Sequence, residues 1–399
     1  MEQVYGNASL TLVAARSADA RVGFITPKTE PEQQHCPLPL SSSTSEVLYF
    51  SPYRHQTIGP TSTRGWCYQE EVLSKRMVIF AQHQIAYYCR TWSSWEDGSC
   101  TTWNSPIAGV TGAFPSDATD LKVRREKTLV LWYTKVQAYT LRNLSNPHDV
   151  FAAIASIAKL AQEVLDSRYL AGLWESDIAR GLLWKPKHHI VNGFWPVIRP
   201  RSRTYAPSPV TRAPSWSWAS IEGPVFHQHA IRKGSSRLNV SIKLRPGAEN
   251  NRWTADENCD VKELHIPHRE LSLIGKISKA FVLDTPARDY LCDKEGSWWK
   301  KYGIQKAIKF GVLLGDAEFM NGDKYMLNDD NRDLDEKVVA IGMFDVAEEA
   351  TKAVWCLRVI EREGLMLIKQ GDQWSRVGTF LFERVSFFDG KDDRHIRLI

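Results

Sequence analysis

A carboxylate, Glu70, interrupts an apolar stripe near the front of the chain and is the first candidate for chemistry. Trp66, Glu70 and Leu73 are four and three residues apart, which places them on one face of a helix, with Gln69 beside them. A carboxylate among apolar groups either acts as an acid or is held by a cation. We favour a structural ion pair with Arg64. The catalytic residues stay unknown, with Glu70 as the alternative candidate.

Other reactive combinations are weaker on sequence grounds. Cys67 and His83 can be combined as a nucleophile and its base, but a cysteine on a Trp-rich helix is usually a small buried hydrophobe. Two groups of residues offer metal ligands, and neither has a second ligand pair at zinc-site spacing, so no metal is expected. These groups are His227 with His229, and Cys259 with His265 and His268. No Walker, G-x-G-x-x-G or G-x-S-x-G sequence occurs.

A helix must position Glu70. No Pro or Gly interrupts residues 66–76, and Ser62 or Thr63 can cap the free N–H groups at its start. Glu71 and Lys75 form an i, i+4 pair on the other side, where we expect solvated surface. Two β-like runs separated by polar residues follow, at 77–80 and 85–89. The predicted order is therefore helix, strand, turn and strand.

This order of residues resembles the third sequence block of the fungal heterokaryon-incompatibility (HET) domain, whose pattern is roughly R-G-W-T-x-Q-E-x-x-L-S. The matching residues are Arg64, Gly65, Trp66, Gln69, Glu70, Leu73 and Ser74, and Cys67 stands in place of the usual Thr. A later block of the same fungal proteins, A-P-S-W-S-W-A-S, matches residues 213–220. Its Trp216 and Trp218 alternate with small residues, so we expect both rings on one face of a strand, as packing residues.

The start of the chain resembles the second half of the HET domain, through Met1, Tyr5 and Ala8. The end of a helix precedes an apolar run at 10–15, which predicts a strand buried on both faces. The earlier blocks of the family have no counterpart in the sequence. We therefore expect the front half of the HET domain to be missing and the chain to be inactive alone.

The resemblance implies a part in fungal non-self recognition and in the programmed cell death that follows. The family is thought to be distantly similar to TIR domains, some of which cleave NAD. For an intact relative, NAD is then a substrate rather than a resident cofactor, and enzymatic activity would need the missing blocks. The alternative is a protein–protein interaction module without chemistry of its own. Protein partners are expected in either case.

Composition excludes some classes of function. The net charge of +5 is small, and no block of basic residues argues for a nucleic-acid partner. Apolar runs are too short for a signal peptide or a membrane span. Seven dispersed cysteines without a C-x-x-C motif predict reduced thiols and a cytoplasmic location.

The predicted fold class is α+β, in three segments. Residues 1–105 would form the C-terminal half of a HET domain, as a partial α/β, TIR-like remnant. Residues 106–190 would form a helical middle layer, with apolar stripes at 129–139 and 150–165 and a third helix at 169–184. Residues 191–399 would form a β-rich barrel or sandwich. Its predicted strands are 240–244, 271–283, 307–314, 338–344, 354–360, 365–369, 376–382 and 396–399.

Overall fold

The computed structural model describes the larger part of the chain. The described residues are 2–19, 21, 23–25, 36–39, 47–50, 59–82, 84–89, 91–102, 114, 120–186, 212–227, 240–244, 270–282, 310–314, 320–321, 324–325, 338–345, 353–382 and 385–399. They mix helices with several sheets, so the α+β class is confirmed. The TIR-like remnant and the layers stay a prediction.

The chain divides into two compact units. The first comprises residues 1–119, 141–146 and 153–160, and the second comprises 120–140, 147–152 and 161–399. The three predicted segments, with boundaries at 105 and 190, are not tested by this division and stay a prediction.

The first unit is built on a small sheet with two helices. In chain order its elements are α1 (Glu2–Asn7), β1 (Thr11–Val13), β2 (Cys36–Pro39), β3 (Val47–Phe50), α2 (Gly65–Leu73), β4 (Arg76–Phe80), β5 (Ile85–Cys89), β6 (Trp92–Trp95) and β7 (Cys100–Thr102). The sheet order is β1-β4-β5-β6-β7, with β1 parallel to β4 and the other pairs antiparallel. The predicted order of helix, strand, turn and strand is confirmed by α2, β4 and β5.

Strand β1 differs from its prediction. It is three residues long and lies at the edge of the described sheet, and Leu10 and Leu12 are 47% and 59% exposed. Side chains alternate across a strand, so Leu12 points away from the core on the other face. That core contains Ala15, Met77 and Ile79. The expectation of a strand buried on both faces is therefore wrong.

The second unit begins with helix α3 (Leu121–Tyr139), whose first free N–H groups are capped by the Asp120 carboxylate. Helix α4 (Ala155–Leu165) follows, and its residues 155–160 belong to the first unit. Helix α3 contains its predicted apolar stripe, whereas the stripe predicted at 150–165 starts in two 3₁₀ turns (Pro147–Val150 and Ala152–Ile154) and continues in α4. The elements after it are β8 (Tyr169–Leu170), β9 (Leu173–Trp174), α5 (Ile178–Gly181), β10 (Lys185–Pro186) and β11 (Val225–Phe226). Among the described helices, none is long and apolar enough to cross a membrane.

The predicted third helix at 169–184 is mostly wrong. Ala171 and Gly172 have φ values of 43° and 93°, so they form the two-residue turn of the β8–β9 hairpin. Helix α5 keeps four residues of the predicted helix.

The C-terminal region of the second unit contains a large sheet and a separate short hairpin. The strands of the large sheet are β12 (Lys243–Leu244), β13 (Leu271–Val282), β14 (Phe310–Leu314), β17 (Val338–Phe344), β18 (Ala353–Arg358), β19 (Glu363–Gln370), β20 (Gln373–Phe382) and β21 (Asp393–Leu398), and the hairpin pairs β15 (Met320–Asn321) with β16 (Lys324–Tyr325). Strands β13, β14, β17, β20, β19 and β18 pair in that order, and β18 pairs again with β13. This closed ring is the arrangement of a barrel, and each predicted strand overlaps a strand in it or beside it. The bounds of 338–344 are those of β17, residues 307–309 lie outside the described residues, and the other predicted strands differ from the observed ones at one or both ends.

Candidate functional site

Helix α2, which carries the HET-like motif, begins in close contact with the segment 141–146. The Gly65 N–H donates to the Asn143 carbonyl at 2.7 Å. A Cβ at Gly65 would lie 2.4 Å from Leu144 Cδ2, so the Leu144 side chain would have to move to make room for it. The predicted cap is wrong: the N-cap residue is Arg64, which makes no side-chain capping bond, while Ser62 hydrogen-bonds within the preceding turn.

The buried face of α2 is rotated relative to the predicted one. It consists of Gly65, Tyr68, Gln69, Val72 and Leu73, whereas Trp66 and Glu70 are half-buried. The Gln69 side chain is 1% exposed, and its Oε1 accepts a hydrogen bond from the Ser156 N–H at 2.7 Å. Ser156 lies in the first turn of α4, where N–H groups lack partners within the helix. Gln69 therefore caps α4.

The ion pair of α2 is formed by Glu71 and not by Glu70. Two hydrogen bonds, of 2.6 and 3.1 Å, join its carboxylate to the Arg142 guanidinium, and the two side chains are 15% and 10% exposed. Arg142 also lies 4.7 Å from the centre of the Tyr68 ring. Arg64 is exposed, and the described Arg64 and Glu70 form no ion pair. The predicted ion pair between Arg64 and Glu70 is therefore wrong, and so is the prediction that Glu71 lies at the solvated surface. The reason for both errors is that segment 141–146 packs on the Glu71 side of the helix.

Glu70 faces helix α1 instead. Burial, and next the charge of the Glu70 carboxylate, raise the pKa of the Tyr5 hydroxyl to about 12. Burial, and next the Glu70 charge, raise the pKa of the nearby Cys67 thiol. Cys67 therefore stays a thiol at neutral pH, which makes it a poor nucleophile. Its suggested base, His83, lies outside the described residues.

Trp216 and Trp218 are completely buried, at 0% and 1% exposed. The alternation with small residues predicted a strand here, and this prediction is wrong. Trp218 begins a 3₁₀ turn (Trp218–Ser220) that the Ser217 hydroxyl caps. The indole N–H of Trp218 donates to the Gly172 carbonyl at 3.0 Å. The Trp216 carbonyl accepts from the Trp184 indole at 3.0 Å. These contacts are those of packing residues.

A buried polar network in the second unit was missed by the sequence analysis. The Tyr133 hydroxyl donates to Asp177 Oδ2 at 2.6 Å, and Arg180 Nε donates to Asp177 Oδ1 at 2.5 Å. Arg180 also binds Glu126 with two hydrogen bonds, of 2.5 and 3.0 Å. Burial raises the pKa of Asp177 despite these donors. Tyr133 and Asp177 are 44 residues apart in sequence, so spacing gave no sign that they meet.

This network borders a cleft of about 590 Å³. Three cations and three acids contribute to its lining: Lys122, Arg125 and Arg180, and Asp120, Glu126 and Asp166. The charges largely satisfy one another, since Glu126 binds Arg180 and Asp120 caps α3. The cleft therefore shows no preference for a ligand of one charge.

Among the residues that the structure describes, no group of three or more His, Cys, Asp and Glu side chains could hold a metal ion. His229, Cys259, His265 and His268 lie outside those residues. Comparison of the chain with known protein families, curated proteins and solved structures finds no match.

Proposed function

We propose that this chain is a HET-type protein that acts in fungal non-self recognition and cell death through protein contacts, and that its α2 motif is structural. The observation that supports a structural motif is the bond from Gln69 to the first turn of α4. A side chain that caps another helix is committed to the fold and is not free to bind a substrate.

Two further motif residues have packing roles. Gly65 allows the close approach of segment 141–146, and Leu73 is 5% exposed in the core. Glu71, at an unspecified position of the motif, holds Arg142. These contacts account for Gly65, Gln69 and Leu73 of the motif by packing and capping, and they require no catalytic role for these residues.

NAD cleavage with Glu70 as the acid is the second candidate function. One observation favours it: Glu70 does not join the buried face of α2, and its side chain is only half-buried. The cleft of the second unit does not bear on this candidate, since Glu70 is not among its lining residues.

An assay of nicotinamide release from NAD separates the two candidates. We expect no release by the purified chain. If release is measured, Glu70→Gln should abolish it while Glu71→Gln should not, provided both variants keep the wild-type circular dichroism spectrum. Release that depends on Glu70 would overturn the proposal in favour of the enzyme.

A fusion assay tests the biological part of the proposal. Fungal strains with and without the gene are paired, and death of the fused cells is scored by uptake of a membrane-impermeant dye. When the chain is supplied together with the missing front half of a HET domain, we expect death in mixed pairings and survival in matched ones, with Glu70→Gln as active as the wild type. Equal survival in all pairings would contradict a role in non-self recognition.

A further inference from the structure

His227 is a buried histidine that has no hydrogen-bond partner among the described residues. Its side chain is 2% exposed, and neither Nδ1 nor Nε2 makes a hydrogen bond within that part of the chain. The imidazole stacks on the Tyr133 ring of α3, with centroids 4.3 Å apart and an interplanar angle of 27°. Buried ring nitrogens of this kind are rare, since a lost hydrogen bond costs free energy.

The residues around His227 attach the end of segment 212–227 to α3. The Val225 N–H donates to the Thr140 hydroxyl at 3.1 Å, seven residues along the helix from Tyr133. Strand β11 itself is two residues long and pairs with the equally short β10. Few backbone bonds therefore hold β11 in place, and the stacking of His227 on Tyr133 directly after the strand adds a side-chain contact with α3.

Among the described residues, the carboxylates on the elements packed around His227 are already bound by other groups. From β20, the Arg376 guanidinium contributes a positive charge, and Asp345 is already bound to it by two hydrogen bonds. Behind Tyr133, Asp177 is bound by the tyrosine hydroxyl and by Arg180.

From β10, Lys185 is paired with Glu363. Each of these carboxylates is engaged. A protonated His227 would thus be a second buried cation beside Arg376.

We propose that His227 is a proton-sensitive latch, which holds β11 on α3 at neutral pH and releases it when the imidazole takes up a proton from acidic solvent. The closed state binds the neutral ring, and the open state exposes the ring to water, where the imidazolium is solvated.

The direction of the pH dependence follows from linkage. Burial, and next the Arg376 charge, lower the pKa of His227 to about 3, against an ordinary value of about 6.5. Between these two pH values the open state binds more protons than the closed state. The closed state therefore becomes less stable relative to the open state as the pH falls below about 6.5. At about pH 5 the opening equilibrium should have risen about thirtyfold relative to pH 7.5.

Hydrogen exchange of the full chain, read by mass spectrometry at about pH 7.5 and 5 and corrected for intrinsic rates, tests the latch. We expect protection of peptides covering 221–227 to fall about thirtyfold at the lower pH, while β19 keeps its protection. His227→Phe, which keeps an aromatic ring on Tyr133, should remove the pH dependence. His395→Phe, at an exposed histidine of β21, should behave as the wild type.

Unchanged protection of 221–227 in the wild type, an equal fall in His227→Phe, or an equal fall in β19 would each overturn the proposal. If His227→Phe does not fold, NMR of the wild type labelled at histidine decides. The latch predicts that the His227 ring signal stays at its neutral position down to about pH 6. A His227 signal that titrates near 6.5 without opening would sink it.

Discussion

Arg376 and Asp345 form an ion pair in which both side chains are completely buried. Nε and Nη2 of Arg376 donate to the two carboxylate oxygens at 2.8 and 3.0 Å. The remaining donors reach the carbonyls of Leu182 and Trp184 at 2.5 and 2.6 Å, and the guanidinium lies 3.5 Å from the centre of the Trp184 ring. This one side chain therefore joins β20 to β17 and to the turn after α5.

Removing Arg376 should be costly. Loss of one partner of a buried pair leaves an uncompensated charge and typically costs about 3–5 kcal/mol, and here two carbonyls also lose their donor. We expect Arg376→Met to lower the free energy of unfolding by that amount, measured with urea and tryptophan fluorescence.

Arg397→Met is the matched control, since Arg397 pairs with Glu270 at the surface. We expect it to change stability little, because exposed pairs are screened by water. Similar losses for the two variants would show that burial does not decide the strength of these pairs.

Substitution of Glu71 should destabilise the protein more than substitution of Glu70, which is the reverse of what the sequence predicted. Glu71→Gln weakens the bonds to Arg142, and hydrogen bonds to charged groups are worth about 1.5–3 kcal/mol. Glu70→Gln keeps an acceptor for Tyr5 and should change stability less. Thermal unfolding of both variants checks the order. A larger loss for Glu70→Gln would favour the burial originally predicted from the helical spacing.

Elements with a strong local pattern could be predicted from the sequence. The alternation along β13 and the apolar stripe of α3 located both elements, because each pattern depends on one face being buried. The face of α2 was mispredicted because it was set from Trp66, which is half-buried, and one residue turns a helix by about 100°. The partners Arg142 and Ser156 lie more than 70 residues away, and no local signal reveals them.

The turn at Ala171 could not be predicted for a different reason. Alanine seldom adopts a positive φ, so the sequence favoured a helix there. The hairpin forms because Trp132 and Trp218 both donate to the Gly172 carbonyl, at 3.3 and 3.0 Å. These tertiary contacts override the local preference of the segment.

Because of Lys135, the free energy of unfolding should rise with pH in the alkaline range. Its side chain is 1% exposed, and burial lowers its pKa to about 7. Between about pH 7 and 10.5 the unfolded chain then binds more protons, so stability rises with pH across that range. We expect Lys135→Met to remove this rise and to stabilise the protein at pH 7.

Lys122→Met, at an exposed lysine of the same helix, should leave the pH dependence unchanged. Urea unfolding at about pH 7, 8.5 and 10 measures both. If the free energy of unfolding of Lys135→Met still rises with pH, another titrating group causes the rise.

Gly172 should tolerate no side chain. Its φ of 93° is a conformation that L-residues rarely adopt, and a Cβ would lie 2.3 Å from Nε1 of Trp218. Gly371, in the turn between β19 and β20, has a φ of 60° but open space around its Cα. Both Gly→Ala changes carry the strain of the left-handed region, about 1–2 kcal/mol. Gly172→Ala must also displace Trp218, and overpacking adds a further cost of about 1–3 kcal/mol.

We therefore expect Gly172→Ala to unfold at clearly lower urea concentration than Gly371→Ala, with a red-shifted tryptophan emission if Trp218 is pushed towards water. Equal midpoints for the two variants would mean that Trp218 moves aside at little cost. Its bond to the Gly172 carbonyl would then contribute little to the packing of the β8–β9 hairpin.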